Sequence, residues 1–187
     1  MVILEGIRSC GKTFTSDVIS KVFPIRLYKD LGIRMLKENN LKTDVDDYSI
    51  GRDLAYAQFA KKIDKPTLDM LVFDRQYISS CVYGIHYRNR YDKEFWFNHL
   101  KMVESIYKKS NTNVKILFIE LESEDFKKIV EMKRKKDWLD TTDINDYIKQ
   151  YLLYLDFLQY SSFPVIRMKA FQDEEYICKM FVEALNA

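Results

Sequence analysis

Eight residues near the start of the chain, Gly6-Ile7-Arg8-Ser9-Cys10-Gly11-Lys12-Thr13, constrain its fold more than any other feature. They satisfy G-x-x-x-x-G-K-[ST] at every fixed position. Val2-Ile3-Leu4 ahead of them is a short apolar run that reads as a buried strand. Lys12 to Phe23 behind them reads as a helix with Val18, Ile19 and Val22 on one face. Strand, glycine turn and helix in that order make a phosphate cradle. The glycines admit backbone angles that aim successive N–H groups into one concavity, and the helix N-terminus adds partial positive charge. Lys12 can reach β- and γ-phosphates, and the Thr13 hydroxyl can take a place on Mg²⁺. The segment therefore predicts ATP and Mg²⁺ as ligands, with Gly6, Arg8, Ser9, Cys10, Gly11, Lys12, Thr13 and the adjoining Phe14 around the triphosphate.

The rest of the chain alternates in the same way. Ile25–Tyr28, Met70–Phe73, Val114–Leu121 and Phe163–Met168 read as further strands. Helical stretches are predicted over 48–63, 77–87, 93–109, from the Ser123-Glu124-Asp125 cap signal onward, over 142–159 and over 173–185, with breaks at Pro24 and Pro66. Five strands alternating with helices, with no hairpin signal, predict an α/β fold whose parallel sheet is covered on both faces.

Length and composition fit one compact domain spanning 1–187, since the chain has 187 residues, 47% of them hydrophobic and 31% charged. Three prolines and five glycines leave no stretch that reads as a linker. The net charge of +2 is too balanced to mark a nucleic-acid or membrane-surface binder. Cys10, Cys81 and Cys178 lack metal or disulfide spacing, and no apolar run nears the roughly 20 residues of a membrane helix. A cytoplasmic, reduced protein is expected.

A second anchor follows the third strand. Asp74, at a strand's carboxyl end, suits a metal shell, and the planar fork of Arg75 suits an acceptor phosphate or the group in transfer. Here the chain resembles a known family. Leu4-Glu5-Gly6 through Thr13 is similar to the opening of thymidylate kinases, F-E-G-x-D-G-x-G-K-[ST], and Asp74 through Tyr83 resembles their D-R-Y-x-x-S-S-x-A-Y segment. The same segment resembles the E-R-S-x-x-S-S of deoxynucleoside kinases. Three departures stand out: Arg8 replaces the thymidylate kinase acid, Lys29-Asp30-Leu31-Gly32 replaces an Arg-Glu-Pro-Gly turn, and D-R-Y has become D-R-Q.

The resemblance implies a P-loop kinase fold with strand order 2-3-1-4-5 and a short helical lid at about 131–141. In that lid Lys133-Arg134-Lys135-Lys136 would bring charge to the phosphoryl group, with Arg134 as the candidate catalyst; the run also fits a solvated helix face. Asp30 falls where deoxynucleoside kinases carry an acidic base. Gln58 falls where they read a nucleobase edge, with Phe59 or Tyr56 as stacking partners, and Arg52 could approach the acceptor phosphate. Turn and packing roles fit these residues too. His86 and His99 have no acid at useful sequence spacing and read as packed or surface residues.

The expected activity is ATP- and Mg²⁺-dependent phosphoryl transfer to a nucleoside or deoxynucleoside monophosphate, as in thymidylate kinases, with a deoxynucleoside as the alternative acceptor. Related kinases are often dimers, so a homodimer is admitted. Two other classes remain open: a kinase acting on a hydroxyl within DNA or RNA, using Arg88–Arg90, and a nucleotide-dependent switch, although the guanine-reading N-K-x-D is absent.

Overall fold

β1 (Val2–Glu5) is buried at all four positions, as a strand covered on both faces must be. The structure, a computed structural model, describes residues 1–29, 44–110, 112–134 and 143–187, and leaves out the side chains of Lys29, Leu68, Lys133 and Arg134. β1 lies at the centre of a five-stranded parallel sheet of order β2-β3-β1-β4-β5, built with β2 (Arg26–Lys29), β3 (Leu71–Asp74), β4 (Lys115–Glu120) and β5 (Val165–Lys169). The edge strand β5 alternates instead, burying Ile166 and Met168 while Arg167 and Lys169 face water.

Helices cover both faces. α1 (Lys12–Val22) packs with the closing helix α8 (Glu174–Asn186), where the rings of Phe23 and Phe181 meet at 4.9 Å. A second layer holds α2 (Val45–Ala60), α4 (Tyr77–Tyr83), α5 (Lys93–Lys109) and α7 (Ile144–Tyr160), with Trp96, Tyr77, Tyr107 and Tyr154 fully buried among them. α3 (Lys65–Asp69) and α6 (Ser123–Arg134) complete the described helices.

The predicted strands and helices are present, with ends displaced by a few residues. Two local differences have physical reasons. Pro66 does not end structure; it occupies the first turn of α3, where a missing N–H costs no helical bond. The stretch 77–87 is not one α-helix. Its α-helical part ends at Tyr83, and the chain widens into a π-helical segment, Gly84–Arg88, closed by Asn89 in the left-handed region. The lid segment falls largely outside the described residues, between the end of α6 at Arg134 and the start of α7 at Ile144.

Candidate active site

Among the described residues, four helices begin on an aspartate that accepts from their own first-turn N–H groups: Asp44 on α2, Asp92 on α5, Asp143 on α7 and Asp173 on α8. α1 does not. Its N-cap is Gly11, at φ 99°, and no side chain caps it, which leaves the N–H groups of its first turn to an external anion. Gly6 is equally constrained: at φ 152° an added Cβ would stand 2.8 Å from Cys10 Sγ. Ser9, at φ 63°, completes the turn. Lys12 Nζ folds back into the loop, donating at 2.6 Å to the Gly6 carbonyl and also to the Ile7 carbonyl. Burial pushes its ammonium down to about 8, and the neighbouring Arg75 charge adds to that shift against the pull of Cys10, Asp74 and Glu5.

The sheet register places the second anchor beside this loop. Leu4 pairs with Asp74 across β1 and β3, and Arg75 N donates to the Leu4 carbonyl at 3.0 Å. Arg75 is held at φ 73°, a conformation an unbranched L-residue adopts only under constraint. Its Cζ lies 5.0 Å over the Tyr83 ring. Among the described residues, Asp74 Oδ1, Arg75 Nη1 and the Tyr83 hydroxyl are buried atoms without a hydrogen-bond partner. An acceptor-only oxygen and a cationic donor left unpaired at the mouth of a phosphate loop fit a bound metal and a bound phosphate respectively. Magnesium is normally held by one or two carboxylates together with phosphate oxygens. Asp74 and Thr13, exposed at the start of α1, could supply such ligands; no cluster of three acids, histidines or cysteines exists among the described residues.

Glu5 ties these two limbs together. Its carboxylate accepts from Gln76 N at 3.0 Å, from Ser79 N at 3.4 Å and from Ser79 Oγ. It thereby caps α4, whose own N-cap residue, Gln76, makes no capping bond. Burial pushes the Glu5 carboxyl up to about 7 against these hydrogen bonds and the nearby Arg75 and Lys12 charges.

Beside the loop lies a cleft of about 380 Å³ bounded by Phe14, Met132, Ala170, Phe171 and Gln172. The Phe14 and Phe171 rings and Met132 are exposed there, unusual for apolar groups next to a polar turn. Phe171 and Gln172 carry no motif and were not expected from the sequence.

The other expected residues are placed as follows. Arg52 is mostly buried and bonded to Asp53 Oδ1 at 2.9 Å and to Ser80 Oγ at 2.8 Å, on the α2–α4 contact. Gln58 and Phe59 are exposed on α2, while Tyr56 packs against Phe73 at 5.3 Å. Arg134 ends α6, with its side chain outside the described residues, and Asp30 lies outside them entirely. Both histidines do have acids, supplied by distant elements: His99 Nε2 is 3.1 Å from Asp53 Oδ2, and His86 Nε2 is 2.9 Å from Asp146 Oδ1. Arg88 pairs with Asp46, and Arg90 with Asp44 and Asp47 at 2.8 and 3.1 Å, so both cations are met within the molecule.

No family model matches the chain, and no curated protein matches it in sequence. Solved structures do match its fold. It is similar to the YorR protein of Bacillus subtilis in complex with phosphorylated GDP, with a TM-score of 0.70 and 16% identity over 99% of this chain and 95% of that one. It is also similar to deoxyadenosine kinase from M. mycoides with bound dCTP, with a TM-score of 0.59 and 14% identity over 100% and 99% of the two chains. The same enzyme with its products dCMP and dCDP gives 0.62 and 16% over 99% and 98%. The chain shares its fold with these structures, and the strand order is the expected one.

Proposed function

We propose that the chain is an ATP- and Mg²⁺-dependent kinase that transfers the γ-phosphoryl group to a deoxynucleoside monophosphate, in the manner of thymidylate kinases. The observation that carries this reading is the uncapped helix behind Gly6–Thr13 facing the unpaired Asp74 Oδ1 and Arg75 Nη1. The loop N–H groups and Lys12 hold the triphosphate. Phe14 and Phe171 offer faces for the donor base in the adjoining cleft. A magnesium ion bound by Thr13 and Asp74 would supply charge neutralisation at the β- and γ-oxygens. Arg75, fixed on the Tyr83 ring, orients the acceptor phosphate, and Arg134 from the lid region adds charge as the site closes.

A deoxynucleoside acceptor is the second reading, favoured by full-length likeness to deoxyadenosine kinase. A polynucleotide acceptor is less well supported, because Arg88 and Arg90, its expected backbone contacts, are engaged with aspartates.

The test is transfer of label from γ-labelled ATP, with Mg²⁺, to a panel of deoxynucleosides, their monophosphates and a short DNA duplex. Label on one monophosphate is the expected result. Label on a deoxynucleoside moves the assignment to the second reading, and label on DNA alone or on nothing overturns the metabolic kinase.

A further inference from the structure

α7 carries a polar stripe that the activity described above leaves unexplained. Asp146, Gln150 and Tyr154 stand four residues apart and so share one helix face. Gln150 and Tyr154 hydrogen-bond to the phosphate loop, the π-helical segment and α4, and Asp146 lies within ion-pair distance of a histidine of the π-helical segment. Asp146 meets His86, and the Tyr154 hydroxyl lies 2.8 Å from Ser79 Oγ, which in turn donates to Glu5. Gln150, in the middle and fully buried, makes two bonds: its Oε1 accepts from Arg8 N at 2.9 Å and its Nε2 donates to the Tyr87 hydroxyl at 2.7 Å. A backbone N–H can only donate, so the orientation of the Gln150 amide is fixed by Arg8.

The peptide that Gln150 grips is the one on which Lys12 rests. In a trans peptide the N–H of Arg8 and the C=O of Ile7 point in opposite directions. The first is held by Gln150 and the second by Lys12 Nζ. Rotation of that peptide would break both bonds and turn a carbonyl away from the lysine. We infer that Gln150 is a positioning residue of the phosphate cradle, its buried amide locking the Ile7–Arg8 peptide between α7 and Lys12 and tying it to Tyr87 in the π-helical segment.

The inference rests on the reading that the loop holds a nucleoside triphosphate, and the test separates the two. Mg·ATP affinity of the full chain is measured by calorimetric titration, the acceptor KM by the transfer assay, and folding by thermal unfolding. Gln150→Leu, close in volume, is expected to weaken Mg·ATP binding roughly tenfold while leaving the acceptor KM within about twofold, a split that general loosening of the fold does not produce. Tyr87→Phe keeps the ring and removes the hydroxyl that accepts from Gln150 Nε2 and from the Arg8 side chain. It should weaken Mg·ATP about threefold, and it serves as the readout if the leucine variant does not fold. Unchanged Mg·ATP affinity in the folded variants, or equal losses for donor and acceptor, overturns the role of Gln150. Wild-type binding of Mg·ATP with no acceptor labelled overturns the kinase reading alone, and no Mg·ATP binding by the wild type overturns both.

Discussion

Glu5 is a carboxyl placed where water cannot solvate it, and burial pushes its pKa up from 4.5 to about 7. The folded chain therefore holds a proton that the unfolded chain has released throughout the window between those values. Its contribution to stability is fully present below about 4.5 and is lost as pH rises through 7. Glu5→Gln keeps an oxygen for Gln76 N but does not titrate. Its Tm relative to wild type should rise by roughly 5 °C between pH 5 and pH 8, measured by scanning calorimetry without nucleotide. A difference that stays flat over that range would mean that the carboxyl ionises normally. Lys12, Thr13, Asp74 and Arg75 could be singled out from the sequence as a candidate site because the rules for phosphate loops and strand ends act over a few residues. Glu5 capping a helix 71 positions away, and Gln150 reaching a loop 142 positions away, follow no local rule. The acids beside His86 and His99 were missed for the same reason, since each stands on another element.

At the scale of elements, long amphipathic stretches were legible and irregular ones were not. α5 runs over the predicted residues 93–109, because an aspartate cap and a sustained apolar face mark both its start and its course. The π-helical segment has no such signature, and it begins at a glycine packed against a buried ring. A Cβ built on Gly84 would stand 2.2 Å from Trp96 Cζ2, so the fully buried indole occupies the space that any other residue would fill. The widened turn after Tyr83 then carries Tyr87 to Gln150 and His86 to Asp146. Gly84→Ala should cost about 1–3 kcal/mol, because neither the ring nor the helix backbone has room to yield. In urea unfolding its midpoint should fall with an unchanged slope. A midpoint equal to wild type would show that Trp96 can move aside.

Over the whole molecule, alternating strands and helices announced a parallel sheet, whereas strand order is set by crossovers that no spacing records; here it came from the resemblance carried by two short motifs. The order matters because it puts β1 between β3 and β4, and so brings Gly6–Thr13 and Asp74-Arg75 to one edge. A ligand held there must draw on both limbs and on α1, and binding should stabilise the entire chain by mass action. Mg·ATP at a hundred times its dissociation constant adds about 2.7 kcal/mol, so the Tm should climb with nucleotide concentration. Lys12→Ala separates this from fold stability. The buried ammonium is held down to about 8, which means that the fold bears a desolvation cost for it while the Gly6 and Ile7 carbonyls offset part of that cost. Removing it should leave the nucleotide-free Tm within roughly 4 °C of wild type. The Mg·ATP-dependent rise and phosphoryl transfer should both disappear. A variant that still gains stability with Mg·ATP would place the triphosphate somewhere other than this loop.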